Sequence, residues 1–270
     1  MPESPPNTKA ESRGAALFDL SGKSAFVPGG YGGLGAPIAW GLARHGASVA
    51  VAGRDGAKAE ALAAQMRAEG LAAIGCTLDA HSVASIRTAV DAAAEAFGGL
   101  DILMNCVGIQ REQPLLEVTE EAWDEVAAIN MKAAMFLGQA VARHQVAAGR
   151  GGKQVHLLSV RAQLGLRDRG YSAYCSTKGG LVMLVRQHAV ELARHRITVN
   201  GIAPTVVRTP MANHWLANPV TANAIVERIP LGRVGEPDDL VGAAVFFCAP
   251  ASDFVTGQVL YADGGLTATQ

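Results

Sequence analysis

SAFVPGGYGGLG, residues 24 to 35, is the stretch on which the reading of this chain turns. Ser24–Val27 is a short apolar run of strand character, and a helical pattern follows the glycines to about His45. Between them Gly29, Gly33 and Gly35 take the spacing G-x-x-x-G-x-G. Glycines at such a turn let the chain reverse tightly and let backbone approach a pyrophosphate. The helix that follows offers free N–H groups and the positive end of its dipole to that phosphate. The strand before and the helix after are the context that a lone glycine motif needs.

Outward from this unit the same alternation repeats. Ser48–Ala52, Ala72–Thr77, Asp101–Asn105, Gln154–Leu158, Thr198–Ile202 and Gln258–Tyr261 read as further strands. Helical patterns cover Ala57–Glu69, Val83–Phe97, Thr119–Ala148, Ser172–Arg194 and Glu236–Cys248. Thr119 with Glu120 and Glu121 resembles a capped start. Residues 204–235, with four prolines, read as irregular. The expected fold is α/β: a single Rossmann-type, doubly wound, parallel seven-stranded sheet with helices on both faces. Residues 1–16, polar and Pro-bearing, are expected to be a flexible arm, and 17–270 one catalytic domain.

The totals exclude several classes. A formal net charge of −1 gives no reason to expect nucleic acid or a membrane surface as partner. No apolar run reaches the about 18 residues of a membrane span, and the N-terminus lacks the apolar segment of a signal peptide. Cys76, Cys106, Cys175 and Cys248 show no C-x-x-C spacing and read as reduced, buried thiols of a cytoplasmic protein. The seven histidines are scattered without ligand spacing, so no metal is expected.

Two further stretches carry chemistry. AGRD, residues 52–55, places Gly53 where an acid at the strand end would favour NAD, and Arg54 follows it. A guanidinium suits a 2′-phosphate, which favours NADP, while Asp55 keeps NAD open. In YSAYCSTKGG, residues 171–180, Tyr174 and Lys178 stand one helical turn apart on one face. A phenol has a pKa of about 10, and a nearby cation lowers it. The pair is thus a candidate acid/base group for neutral pH, although Y-x-x-x-K alone is a weak pattern.

Taken together these pieces resemble the short-chain dehydrogenase/reductase family, from about Leu20 to Gly265. Its glycine motif matches residues 28–35, with Pro28 for Thr. Its adenine-contacting Asp matches Asp79, its N-N-A-G motif Asn105–Gly108, and its helix Asn Asn130. LLSV supplies Ser159, Y-x-x-x-K supplies Tyr174 and Lys178, and NGIAPTVVRT spans 200–209. The resemblance implies an NAD(P)-dependent oxidoreductase that interconverts a secondary alcohol and a ketone. It assigns Asn130, Ser159, Tyr174 and Lys178 to catalysis. To the cofactor it assigns Gly29, Tyr31, Gly33, Leu34, Gly35, Arg54, Asp79, Asn105, Gly108, Tyr174, Lys178, Pro204, Val207 and Thr209. It also implies a homotetramer built through helices 119–148 and 172–195.

Three departures stand out. Pro28 removes an N–H, so local hydrogen bonding must be rerouted. Thr205 replaces a glycine. The interval from Ser159 to Tyr174 is two residues longer than the family pattern, which places an insertion in the basic loop Arg161–Arg169; the ungapped alignment would put Arg161 at the serine position. That loop's cationic excess suits a carboxylate-bearing substrate such as a sugar acid, or else solvated charge or a subunit contact. Residues 205–230, with Met211, His214, Trp215 and Leu216, read as a lid or as a buried helix. A 3-oxoacyl-carrier-protein reductase and a non-catalytic cofactor-binding scaffold are the alternative functions.

Overall fold

In the computed structural model, which describes residue 14 and residues 16–269, seven strands form one sheet. Of the expected arm, residues 1–13 and 15 lie outside the described residues. The strands are β1 (Ser24–Pro28), β2 (Ser48–Gly53), β3 (Ala73–Thr77), β4 (Ile102–Asn105), β5 (Gly152–Leu157), β6 (Ile197–Pro204) and β7 (Val259–Ala262). They lie in the order β3-β2-β1-β4-β5-β6-β7, with every neighbouring pair parallel. Strand order reverses between β1 and β4, where such sheets open a crevice at their carboxyl ends.

Alternation along the strands splits the core in two. Ala25 and Val27 point to one face, packed with helices α1 (Gly35–Arg44) and α2 (Gly56–Ala68). Phe26 and Leu103 point to the other, against α3 (Val83–Phe97). β1 is buried along its whole length, which is why it reads as a continuous apolar run. Truncating a fully buried Leu103 to Ala in such a layer costs about 2–5 kcal/mol.

Caps set the helix limits. Ser82 Oγ accepts from Ser85 N at 3.1 Å to start α3, and Gly98 at φ 71° ends it. Asp55 Oδ1 starts α2 by accepting from Lys58 N at 3.1 Å. Pro28 reroutes the ladder as its missing N–H requires: Gly29 N and Gly30 N both donate to Ala52 O, at 2.7 and 3.3 Å.

The long helix expected over Thr119–Ala148 is interrupted. Helix α4 (Glu120–Ala127), capped by Thr119, passes through a π turn at Ala128–Lys132 into α5 (Ala133–Ala148). Asn130 sits in that turn. Helix α6 (Ser172–Leu192) begins at Ser172 as expected. The stretch read as irregular holds two short helices, α7 (Asn213–Leu216) and α8 (Pro219–Val226), before α9 (Val241–Cys248). All four cysteines are free, but only Cys248 is buried; Cys76, Cys106 and Cys175 are half-buried, at element ends rather than in the sheet core. Among the described residues no helix is long and apolar enough to cross a membrane, and no three His, Cys, Asp or Glu side chains are grouped to hold a metal ion.

Candidate active site

The crevice is built from glycines whose missing Cβ atoms matter. A Cβ at Gly29, itself at φ 74°, would lie 2.8 Å from the carbonyl carbon of Cys106. One at Gly33 would lie 2.8 Å from Thr209 Cβ, and one at Gly35 would run into Gly29 O. These contacts bring the β1 turn against the turns after β4 and β6. Helix α1 starts there with no side-chain cap and no acid in its first turn, so its leading amides face the crevice. Bare backbone, close walls and an uncapped helix start fit a dinucleotide pyrophosphate.

At the end of β2 the structure separates Arg54 from Asp55. Asp55 is taken up in capping α2, in a 3.5 Å ion pair with Lys58, and in donating its amide to Tyr31 Oη at 2.9 Å. The Tyr31 ring covers Gly53, where a Cβ would collide with it. Arg54 is exposed and has no ion pair among the described residues. Asp79, beyond β3, accepts from His81 N at 3.0 Å.

A cavity of 340 Å³ opens at the carboxyl ends of β4, β5 and β6. Leu34, Gly108, Ser159, Tyr174, Lys178, Pro204, Val207 and Thr209 all line it, as does Thr205. Tyr31, Arg54 and Asp79 lie further along the crevice and do not. Asn105 is buried behind the wall: Nδ2 donates to His156 Nδ1 at 3.1 Å and Oδ1 accepts from Val107 N at 3.1 Å. His156 therefore presents an unprotonated nitrogen, and burial holds its pKa down at about 3. Asn130 is tied to the same turn. Its Oδ1 accepts from Ile109 N at 2.9 Å, while Nδ2 donates to Ile109 O at 3.0 Å and to Thr177 Oγ1 at 3.1 Å. The π turn is what aims it there.

Ser159 Oγ accepts the amide of Arg161 at 3.1 Å, which leaves its hydroxyl proton free to turn into the cavity. Tyr174 lies beside it. Burial raises the Tyr174 pKa, while hydrogen bonding to the Ser159 hydroxyl and the charge of Arg161 pull it back down. Lys178 is itself buried, which lowers its pKa to about 8. Its Nζ donates to Leu157 O at 2.8 Å and sits 5.6 Å from the centre of the Tyr174 ring.

Sequence reasoning passed over three wall residues, Gln110, Tyr171 and Arg228, and named Trp215 only as part of the lid segment. Gln110 Nε2, Tyr171 Oη and Trp215 Nε1 are buried without a hydrogen-bond partner. For Trp215 and Arg228 a signal existed: Asn218 caps α8 with Pro219 at its first position, an N-terminus readable from sequence. That helix brings Ile225 and Arg228 to the cavity. Trp215 is half-buried rather than a core residue, and no residue of α7 is buried.

A family model described as enoyl-(acyl carrier protein) reductase matches residues 30–267. Gluconate 5-dehydrogenase of Gluconobacter oxydans (strain 621H) is 40% identical over 251 residues, 93% of this chain and 97% of that protein. 5-keto-D-gluconate 5-reductase of Escherichia coli (strain K12) is 37% identical over 250 residues, with 93% and 97% covered. Among solved structures, a gluconate 5-dehydrogenase from Burkholderia cenocepacia J2315, in complex with NADP and tartrate, superposes with a TM-score of 0.92. It shares 36% identity and covers 95% of this chain and 100% of that one.

Proposed function

This chain belongs to the short-chain dehydrogenase/reductase family, and on that premise we propose that it interconverts a hydroxy and a keto sugar acid with NADP as the preferred cofactor. It is an NAD(P)-dependent oxidoreductase acting on a CH–OH group. The observation that carries the reading is one cavity in which Ser159, Tyr174 and Lys178 meet the glycine-built crevice. When bound, the nicotinamide supplies the hydride donor or acceptor.

The chain's own residues do the rest. Ser159 donates a hydrogen bond from its hydroxyl to the substrate oxygen and stabilises the charge that develops there. Tyr174 gives that oxygen a proton in reduction and takes one in oxidation. Lys178 has spent one donor on Leu157 O and keeps two for the cofactor ribose. Asn130 fixes the 105–109 turn against α6, and one lone pair on its Oδ1 remains for a water on the path from Lys178. Gly29, Gly33 and Gly35 would take the pyrophosphate, Arg54 the 2′-phosphate and Asp79 the adenine. The commitment of Asp55 to the α2 cap supports NADP over NAD. Residues 205–230, with α7 and α8, form the outer wall and act as a lid; 17–270 is one catalytic domain.

For the substrate, both named relatives act on gluconate or its 5-keto form, and arginines crowd the cavity. We place the enzyme in the cytoplasm as a homotetramer. Its exposed Met183 and Val190 on α6 and Leu116 beside α4 are the apolar surface such an assembly would cover. The test is titration of the purified protein with NADP and NAD, then a panel of sugar acids and β-ketoacyl thioesters followed at the reduced-cofactor absorbance. Turnover of thioesters alone would replace this reading with an acyl reductase, the chemistry in the family model's description.

A further inference from the structure

Arg161, Arg167, Arg169 and Arg228 line the cavity together with Lys178, and no aspartate or glutamate does. Only Arg169 has a carboxylate partner among the described residues, Glu112 at 2.9 Å. Arg161 is the outlier of the set, because it is buried at 9% exposure. A buried charge without a counter-charge is costly, and proteins rarely keep one without a reason. Its guanidinium is held in place by Nη1, which donates to Leu164 O at 3.3 Å and Gly165 O at 2.5 Å. Nε and Nη2 donate to no protein acceptor among the described residues, and neither is sealed from the cavity. Arg228, at the end of the lid segment, is close enough that its charge adds to burial in lowering the Arg161 pKa.

We propose that Arg161, assisted by Arg228, binds the carboxylate of the substrate and thereby determines specificity. The anion anchors one end of the substrate chain, which decides the carbon presented to Tyr174. This rests on the sugar-acid reading for its substrate. It assigns the role to the loop lengthened between Ser159 and Tyr174.

The experiment measures binding and turnover separately. Gluconate and its neutral polyol glucitol are titrated calorimetrically into the NADPH-saturated full-length protein, which cannot oxidise them, in wild type, Arg161→Met, Arg161→Lys and Arg228→Met. NADPH affinity reports that each variant is folded, and turnover is followed separately with NADP. We expect Arg161→Met to weaken gluconate about 10- to 100-fold, the scale of a charged hydrogen-bonded contact, and glucitol less than about twofold. Lys should restore part of the loss, and Arg228→Met should show the same selectivity with a smaller size. Parallel weakening of both ligands would overturn the proposal. So would unchanged gluconate binding with only a shifted pH profile of kcat, which would assign Arg161 to Tyr174 instead. If wild type binds gluconate through Arg161 but turns over no sugar acid, the parent reading falls and this one stands.

Discussion

The glycine end of the crevice and the arginine end of the cavity are built by opposite means. At the glycine end the shape is made by backbone and by what is missing from it. Gly29, Gly33 and Gly35 each occupy a place where a single added carbon meets a neighbouring wall. Ala52 O takes two amides and Asp55 closes the start of α2, while the start of α1 is left without a side-chain cap. At the arginine end the walls are side chains on a long loop and two short helices. Three polar atoms there lack partners, and Arg161, Arg167 and Arg228 lack counter-charges among the described residues. On the proposed function, the first region takes the dinucleotide and the second takes the substrate.

The sharpest way to break this contrast is at the point where the two ends meet. Tyr174→Phe removes one oxygen that no glycine contact depends on. Turnover should fall about 10³-fold or more, within the range for a lost general acid, while NADP affinity stays within about twofold. Steady-state rates and a cofactor titration on the same preparation check both halves of the statement. Retained turnover would mean that the acid/base group lies elsewhere in the cavity.

Next in size is Gly29→Ala. The added methyl must accept φ 74° and a 2.8 Å approach to Cys106 C, both backbone constraints with no flexible side chain to yield. NADP affinity should drop about 100-fold, from roughly 1–2 kcal/mol of left-handed strain plus displacement of the turn. Arg54→Gln tests the same end more gently. It should weaken NADP about 10-fold and leave NAD unchanged, since only the 2′-phosphate is lost as a partner. Equal loss for both cofactors would show that Arg54 serves the fold of the turn rather than the phosphate.

The same contrast explains what could be read in advance. Helix α3 lies where its pattern placed it because Ser82 and Gly98 are local signals within one turn of its ends. The glycine turn and the positions of Ser159, Tyr174 and Lys178 were legible for the same reason: each is a pattern within a short window. The π turn at Asn130 was not, because its cause is an amide clasped by Ile109 and Thr177, which come from other parts of the chain. Nor was the burial of Arg161, whose Nη1 donates to the carbonyls of Leu164 and Gly165, a contact with no sequence signature. Tyr171 opens the stretch that holds Tyr174 and Lys178 and carried no signal, since an unpartnered hydroxyl is visible only once the wall around it is built.

Lys178 gives the smallest effect and the one that probes what the meeting point costs the fold. Its pKa is lowered from 10.5 to about 8, with burial the largest cause. The unfolded chain therefore binds the proton more tightly than the folded one. By linkage, stability rises with pH between about 8 and 10.5, and below 8 the folded protein carries the full penalty, roughly 3 kcal/mol. Lys178→Met should remove that penalty and lose the hydrogen bond to Leu157 O, worth about 1 kcal/mol. The net gain of about 1–2 kcal/mol predicts a melting temperature higher by about 2–6 °C at pH 7, in a variant that no longer turns over. The gain should shrink as pH rises through 8 and vanish near 10.5. A melting temperature that falls at pH 7 would mean that the ammonium is held by more than one carbonyl, and that the junction of the two regions is a stabilising element, not a concession to chemistry.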